Sequence, residues 1–279
     1  MSEGGRLILC ATPIGNLADV SDRLRTTLAE ADVIYAEDTR RTSILLNHIG
    51  VSRSIRSLFV GNEEARTDEL LASVVGGKTV ALVTDAGMPG ISDPGAAAVR
   101  RVREVGLPVT VIPGPSAVTT AIALAGFGGD GFVFEGFLPK KGRVRTERLQ
   151  RIAREDRPVV LFISPHRFLA DLVDLAATSG DDRQVVVTRE LTKLHEEAWA
   201  GTIGGALQEW SDRPPKGEFT IVLGPAERSA VTVEDAGAQA RLLVSAGTSP
   251  SDAAREVARA TGLPRREVYA ALLENQDRS

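Results

Sequence analysis

One stretch of the sequence, residues 84–95, combines residue types that can bind a small ligand through side chains and backbone together. It reads Thr-Asp-Ala-Gly-Met-Pro-Gly-Ile-Ser-Asp-Pro-Gly and follows an apolar run at 79–83 that predicts a buried strand. Asp85 supplies a carboxylate directly after that strand. Gly87 and Gly90 have no Cβ, so a ligand can approach the backbone closely at either position. The stretch therefore predicts a ligand-binding loop at the end of a strand.

The next helix is predicted to begin inside the same stretch. Asp93 is a good N-cap residue, and Pro94 suits the first helical position, where its missing N–H costs nothing. A helix over 93–105 would make residues 85–92 a strand-to-helix connection. In open α/β sheets such connections lie where ligands bind. The alternative is an ordinary turn, since glycine and proline also simply redirect the chain.

Three further predicted strands end in segments of the same kind. They are 7–11, 33–36 and 108–112, followed in turn by Thr12-Pro-Ile-Gly-Asn16, Glu37-Asp-Thr-Arg40 and Pro113-Gly-Pro-Ser-Ala117. Helical periodicity separates the strands, most clearly over 63–75 and in the Ala- and Val-rich segment ending at residue 125. Alternation of strand and helix predicts a parallel sheet with right-handed crossovers. We therefore expect all four segments to meet at one edge of the sheet.

The second half of the chain has a similar pattern. Strands are predicted at 132–135, 159–163, 184–188 and 218–223, and helices near 167–177 and 203–210. After Pro225 the sequence becomes polar and rich in alanine. The domain boundaries that follow are 1–126 for an N-terminal α/β domain, 127–228 for a C-terminal α/β domain and 229–279 for a helical extension.

Two helices are predicted in this extension. Ser249, followed by Pro250, caps the first helix, which Gly262 ends before Pro264 opens the second. The outline resembles a helix-turn-helix, which can read a nucleic acid, although paired short helices more often simply pack together.

A run of basic residues lies between the predicted strands at 132–135 and 159–163. It begins with Lys140, Lys141, Arg143, Arg145 and Arg148 and continues to residue 157 with only three acidic residues. Such a run can hold the phosphates of a nucleic acid, or it can be the solvated face of a helix. Because the whole chain carries a net charge of −4, a polyanion must be bound by a local patch of this kind.

Composition excludes several classes of protein. The 279 residues are 43% hydrophobic and 25% charged, as in ordinary globular proteins. The single cysteine, Cys10, excludes an internal disulfide, and three histidines without ligand spacing give no sign of a metal site. We find no signal-peptide pattern and no apolar run of membrane-spanning length, so we expect a cytoplasmic protein that does not bind a membrane.

The strand-end segments, taken together with Gly136-Phe-Leu-Pro139 and Gly217-Glu-Phe-Thr220, resemble the bacterial 16S ribosomal RNA small-subunit methyltransferase I family. The resemblance runs through nearly the whole chain in the right order, and Glu37-Asp-Thr-Arg40 is its most specific part. It implies the tetrapyrrole methylase fold, in which two α/β domains hold the cofactor between them, and a homodimer. The implied activity is S-adenosylmethionine-dependent 2′-O-methylation of a cytidine ribose in 16S rRNA of the small subunit.

The resemblance also implies which residues bind the cofactor. S-adenosylmethionine presents an ammonium group, a ribose diol and an adenine edge, so its site needs a carboxylate, close backbone groups and small side chains. The residues expected to line this site are Pro13, Asp85, Gly87, Met88, Ser116, Ala117 and Thr220.

Catalysis would require proton removal, because a ribose hydroxyl is a poor nucleophile until a base takes its proton. Glu37 and Asp38, at a strand end, are candidates for this base, and Arg40 can grip a neighbouring phosphate. The alternative is that the two carboxylates cap the helix beginning at Thr39 or pair with Arg40 and Arg41.

Two other functions remain open from the sequence. A methyltransferase acting on a tetrapyrrole would share the fold, although the loop at 37–40 and the basic run do not favour it. A non-catalytic RNA-binding regulator could use the terminal helices, but it would not need so many functional loops at one sheet edge.

Overall fold

The computed structural model describes residues 5–129, 131–226 and 232–274. The chain divides into two compact units, one up to Ala226 and the other from Glu227 onward. Within the described ranges no helix is both long and apolar enough to cross a membrane.

The first sheet of the larger unit consists of five parallel strands. They are β1 (Arg6–Cys10), β2 (Val33–Ala36), β3 (Ile55–Ser57), β4 (Thr79–Val83) and β5 (Val109–Ile112), arranged in the order β3-β2-β4-β1-β5. The predicted parallel sheet is confirmed. Strand β3 was missed because its three half-buried residues show neither a long apolar run nor a clear alternation.

Helices cover both faces of this sheet. They are α1 (Asp22–Glu30), α2 (Thr39–His48), α3 (Glu63–Val75) and α4 (Ala96–Glu104), whereas α5 (Ala117–Ala125) packs against the second sheet. Alternate strand residues enter two different apolar clusters: Ile8 and Ile34 pack on one side, whereas Leu7 and Tyr35 pack on the other. Burial on both faces explains why the strands appear in the sequence as continuous apolar runs.

The predicted start of α4 at Asp93 is wrong. The helix begins at Ala96, and its N-cap is Gly95, whose φ of +131° favours glycine. A turn closed by the hydrogen bond from the Gly90 N–H to the Pro94 carbonyl (3.2 Å) occupies the preceding residues. The Gly95 N–H then donates to the Glu63 carboxylate at 3.0 Å, so Asp93 does not cap this helix.

The second sheet is mixed. Its strands are β6 (Val133–Phe137), β7 (Val159–Ile163), β8 (Gln184–Arg189), β9 (Glu197–Thr202) and β10 (Phe219–Leu223), in the order β6-β7-β10-β8-β9. Only the β6–β7 pair is parallel among the described pairings. Helices α6 (Arg143–Arg154), α7 (Phe168–Ser179) and α8 (Ile203–Glu209) belong to this part of the fold. Strand β9 was missed because Glu197, Gly201 and Thr202 leave only a short apolar segment in it.

The smaller unit holds three helices in its described residues, α9 (Val233–Ser245), α10 (Pro250–Thr261) and α11 (Arg265–Leu273), whereas two were predicted. The predicted caps of α10 are confirmed. The Ser249 side chain accepts a hydrogen bond from the Asp252 N–H, and Gly262 ends the helix in the left-handed conformation. The first residues of the expected 229–279 extension and its last five lie outside the described ranges.

Candidate active site

A cavity of about 420 Å³ lies in the larger unit, where loops that follow strands of the first sheet face residues of the second sheet. Its volume falls within the range of ordinary small-molecule sites. Six of the seven residues expected to bind the cofactor line it: Asp85, Gly87, Met88, Ser116, Ala117 and Thr220. Pro13 is buried beside the cavity wall, which its neighbour Ile14 lines instead. The tertiary structure thus brings together residues that are up to 135 positions apart in the sequence.

The loop after β4 is anchored to the loop after β1. The Thr12 N–H donates to the Gly87 carbonyl at 2.9 Å, and the Gly87 N–H donates back to the Thr12 carbonyl at 3.1 Å. The Thr12 hydroxyl also donates to the Thr84 carbonyl at 3.2 Å. These three hydrogen bonds fix the backbone at one side of the cavity.

Carboxylates from two adjacent strands form the acidic side of the cavity. Asp85 Oδ1 accepts a hydrogen bond of 2.9 Å from the Asp38 N–H, and the Asp85 N–H lies 3.5 Å from Glu37 Oε2. Burial raises the pKa of Glu37, and the neighbouring charge of Asp85 adds to this effect. Within the described residues, no group of three or more His, Cys, Asp or Glu side chains is arranged to hold a metal ion.

Asp38 is the N-cap of α2, which is one of the alternatives that the sequence left open. Its carboxylate accepts a 2.8 Å hydrogen bond from the Arg40 N–H and pairs with the Arg40 guanidinium, also at 2.8 Å. This pairing lowers the pKa of Asp38 to about 2, so the group is a weak proton acceptor at neutral pH. Glu37 lines the cavity, whereas Asp38 and Arg40 are not among its described lining residues.

Sequence reasoning missed three charged residues of the cavity, namely Arg41, Asp93 and Glu218. Arg41 lines it and places its Nε 3.5 Å from Asp85 Oδ2. It directly follows the strand-end segment 37–40 and was considered only as a partner for Glu37 and Asp38, so this position was the signal that could have identified it. Asp93, expected to cap a helix, is a half-buried lining residue instead. Burial, together with the negative charges of Glu37 and Asp85, raises the pKa of Asp93 to about 7.

The opposite side of the cavity is apolar. Phe137, Phe162 and Leu191 line it, and the two phenyl rings lie with their centroids 5.5 Å apart. An apolar wall facing carboxylates can hold a ligand that has both a flat ring system and a charged end.

Leu191 lies at the cavity because the strained loop that follows β8 packs closely against the loop that follows β1. Thr192 has a φ of +66°, and its hydroxyl accepts a 3.1 Å hydrogen bond from the Asn16 N–H. A Cβ added to Gly15 would lie 2.5 Å from the Lys193 side chain and 2.9 Å from the Leu191 carbonyl. This contact therefore requires glycine at position 15.

The basic run does not form one continuous phosphate-binding surface, and the expectation for Arg145 is wrong. Arg145 is buried because its guanidinium pairs with Asp171 at 2.9 Å and with Asp174, and it donates to the Pro139 carbonyl. Arg148 is half-buried and is held against Glu135. Lys140, Lys141 and Arg143 are exposed.

Comparison with known proteins defines the class to which this fold and cavity belong. The family described as Tetrapyrrole (Corrin/Porphyrin) Methylases matches residues 6–206, and the RsmI C-terminal HTH domain matches residues 231–276. Among solved structures, diphthine synthase covers 78% of this chain and 89% of its own, with a TM-score of 0.62 and 16% identity. Uroporphyrin-III C-methyl transferase from Thermus thermophilus, complexed with S-adenyl homocysteine, covers 81% and 99%, with a TM-score of 0.56 and 17% identity. At such identities the similarity shows the fold alone, which is that of the tetrapyrrole methylases.

Closer relatives narrow this class to one family. Ribosomal RNA small subunit methyltransferase I of Synechocystis sp. is 44% identical over 273 residues, which cover 97% of this chain and 98% of the relative. The protein of the same name from Thermotoga maritima is 45% identical over 223 residues, covering 80% of this chain and all of the relative. The chain belongs to the ribosomal RNA small subunit methyltransferase I family.

Proposed function

We propose that this protein transfers a methyl group from S-adenosylmethionine to the 2′-hydroxyl of a cytidine in 16S rRNA. The observation that carries the proposal is the convergence of Asp85, Gly87, Met88, Ser116, Ala117 and Thr220 on one cavity. The same residues follow from the family resemblance of the sequence. Relatives that are 44–45% identical and named as ribosomal RNA methyltransferases support an RNA substrate over a tetrapyrrole.

The cavity fits the cofactor in charge and shape. When bound, S-adenosylmethionine supplies an electrophilic methyl group on a positively charged sulfur. The carboxylates of Glu37 and Asp85 suit the ammonium and sulfonium charges, and Ser116 and Ala117 leave room for a ligand close to the backbone. Phe162 and Leu191 offer an apolar wall to a nucleobase.

This chain's own groups would contribute mainly alignment and proton transfer. Alignment of two reacting groups can account for a large part of a rate enhancement. Glu37 is the one residue of the sequence-predicted set Glu37, Asp38 and Arg40 that lines the cavity, and it shares the cavity with a second carboxylate of raised pKa, Asp93. Arg41 can balance the charge of these carboxylates or contact a phosphate of the RNA.

The RNA contact is proposed for the exposed start of the basic run, which we call the basic face: Lys140, Lys141 and Arg143. A protein with a net charge of −4 needs such a concentrated patch to hold phosphates. The expected homodimer would be tested by measuring the mass of the protein in solution by light scattering.

The deciding experiment uses S-adenosylmethionine labelled on its methyl group. The acceptors are small subunits from a strain that lacks the enzyme, free 16S rRNA, and a porphyrinogen. We expect label in the small subunit or in the free rRNA, at a phosphodiester that resists alkaline cleavage because a 2′-O-methyl group blocks it. Label on the free base after hydrolysis, or on the porphyrinogen alone, would contradict the proposal.

A further inference from the structure

Asp93 is the least satisfied carboxylate of the cavity. Asp85 accepts a hydrogen bond from the Asp38 N–H and lies near Arg41, and Glu37 lies within reach of the Asp85 N–H. Asp93, in contrast, has no hydrogen bond or ion pair to its carboxylate within the described part of the chain. A half-buried carboxylate without donors favours its neutral form.

The backbone before Asp93 is also unusual. Ser92 has a φ of +63°, a conformation that a non-glycine residue rarely adopts. Its hydroxyl oxygen would lie 3.2 Å from a Cβ added to Gly136, so β6 of the second sheet closely approaches this loop. Backbone strain of this kind is held in place by surrounding structure and is typical of functional sites. Here it accompanies an unpartnered carboxylate at the cavity wall.

The charged groups that act on Asp93 all raise its pKa. The other charged groups that line the cavity are Glu37, Arg41, Asp85 and Glu218. Burial has the largest effect on Asp93, and the charges of Glu37 and Asp85 add to it, so that its pKa is about 7. Arg41 pairs with Asp85 instead, and Glu218 pairs with Lys193 at 3.0 Å. A proton acceptor works best when its pKa lies close to the working pH, as it does here.

We propose that Asp93 is the group that accepts the proton of the substrate hydroxyl, an inference that rests on the proposed function. The O–H bond of the hydroxyl breaks and its proton moves to a carboxylate oxygen of Asp93. The freed electron pair of the hydroxyl oxygen forms the bond to the methyl carbon, and the electron pair of the old sulfur–carbon bond stays on sulfur. The negative charges of Glu37 and Asp85 raise the proton affinity of Asp93 and so favour this transfer.

A first test needs neither cofactor nor substrate. An aspartate whose pKa in the folded protein is raised above its unfolded value of about 3.9 loses stability as the pH rises between the two values. Asparagine does not titrate, so the Asp93→Asn variant does not lose stability in this way. It should therefore melt at a higher temperature than the wild type at pH 8, and this difference in melting temperature should shrink towards pH 4. Asp182→Asn, at an exposed aspartate, is the matched control and should show no such trend. If the melting temperatures of Asp93→Asn and the wild type differed by the same amount at pH 8 and at pH 4, the proposal would be wrong.

A second test uses single-turnover methylation of small subunits that lack the modification, across pH 5.5–9. The wild-type rate should rise with a midpoint near pH 7. Asp93→Asn should lower the rate at least about 100-fold at pH 8 and remove the rise, since a proton acceptor typically contributes about 10²–10⁴-fold. Cofactor affinity, measured by calorimetry, should not fall. Asp93→Glu should recover part of the rate.

The Glu37→Gln variant separates the two carboxylates. If Asp93 is the acceptor, removing the nearby charge of Glu37 should move the midpoint below pH 7 and leave the rise in place. If the methylation rate no longer increased with pH in Glu37→Gln but still did so in Asp93→Asn, the acceptor would be Glu37 and the proposal for Asp93 would be wrong. A wild type that methylated no RNA acceptor would overturn the proposed function itself, and with it the role of Asp93.

Discussion

The Asp85 carboxylate accepts a hydrogen bond of 2.9 Å from the backbone N–H of Asp38. These residues follow β4 and β2, which are neighbouring strands in the sheet although 47 positions separate the two residues. The bond joins the loop that bears the cofactor-site residues to the start of α2. The Asp85 side chain therefore has two roles, because it orders a neighbouring loop and also places a negative charge at the cavity.

The first prediction separates these two roles of Asp85. Asp85→Asn keeps an oxygen that can accept from the Asp38 N–H but removes the negative charge. We expect it to melt close to the wild-type temperature and to bind S-adenosylmethionine at least about 10-fold more weakly, as expected for loss of a charged hydrogen bond. Asp85→Ala should lose affinity and stability together. Calorimetry with thermal melting checks both, and wild-type affinity in folded Asp85→Asn would remove this carboxylate from the cofactor site.

The second prediction concerns the capping role of Asp38. Asp38→Ala removes the N-cap of α2 and should lower the melting temperature by a few degrees, while changing the single-turnover rate far less than Asp93→Asn does. The pKa of Asp38 is lowered to about 2, so its contribution is complete above about pH 4 and is lost as the pH falls towards 2. The melting difference from the wild type should shrink over that window. A rate loss equal to that of Asp93→Asn would restore Asp38 as a catalytic candidate.

The third prediction follows from the burial of Arg145. Its replacement leaves Asp171 and Asp174 without their main partner, so Arg145→Met should reduce the free energy of unfolding by about 3 kcal/mol. Arg143→Met, at an exposed position on the same helix, should change it by less than about 0.5 kcal/mol. Urea unfolding of the two variants measures the difference. Equal stability would mean that the buried cluster contributes little.

The fourth prediction tests the basic face. Replacing Lys140, Lys141 and Arg143 together by glutamate should weaken RNA binding and flatten its salt dependence, because each phosphate contact releases counterions. Three lost contacts correspond to a reduction of about 2 in the slope of log K against log salt for single-stranded RNA. Binding titrations at several salt concentrations measure this slope.

A control for this experiment must make the same change in net charge at exposed residues outside the basic face. Arg23, Arg25 and Lys78 are exposed and lie in the first half of the chain. Their joint replacement by glutamate should reduce affinity only through the general change in net charge. If both triple variants flattened the slope equally, RNA binding would not be specific to the basic face.

The fifth prediction addresses the loop that carries Leu191. Gly15→Ala places a Cβ against Lys193 and the Leu191 carbonyl, so the loop after β8 must shift and the apolar wall of the cavity with it. We expect a several-fold loss of S-adenosylmethionine affinity, measured by calorimetry. Gly128→Ala is the control, because no atom lies within 4 Å of its added Cβ. Equal affinity of the two variants would show that the loop tolerates the shift.

Much of the fold could be predicted from the sequence, for a local reason. Strands buried on both faces are continuous apolar runs, and this pattern located β2, β4 and β7 at their exact bounds. The strand-end loops of the first sheet were also predictable, since parallel strands present their carboxyl ends at one edge. Five of the seven residues expected around the cofactor line the cavity for that reason, whereas Thr220 enters it from β10 of the second sheet.

What the sequence could not determine depends on neighbours that are distant along the chain. Asp93 has the local pattern of a helix cap, yet its environment is set by Glu37, 56 positions away, and by a turn that delays the helix to Ala96. Arg145 belongs to a basic run that suggests a solvated face, yet α7 supplies the two aspartates that bury it. The sequence thus determined which residue types gather at the sheet edge, whereas only the tertiary structure decided which charges are paired, which are buried and which face the cavity. The physical reason is that burial and charge pairing are properties of the packed neighbourhood, and periodicity along the chain records only the segment itself.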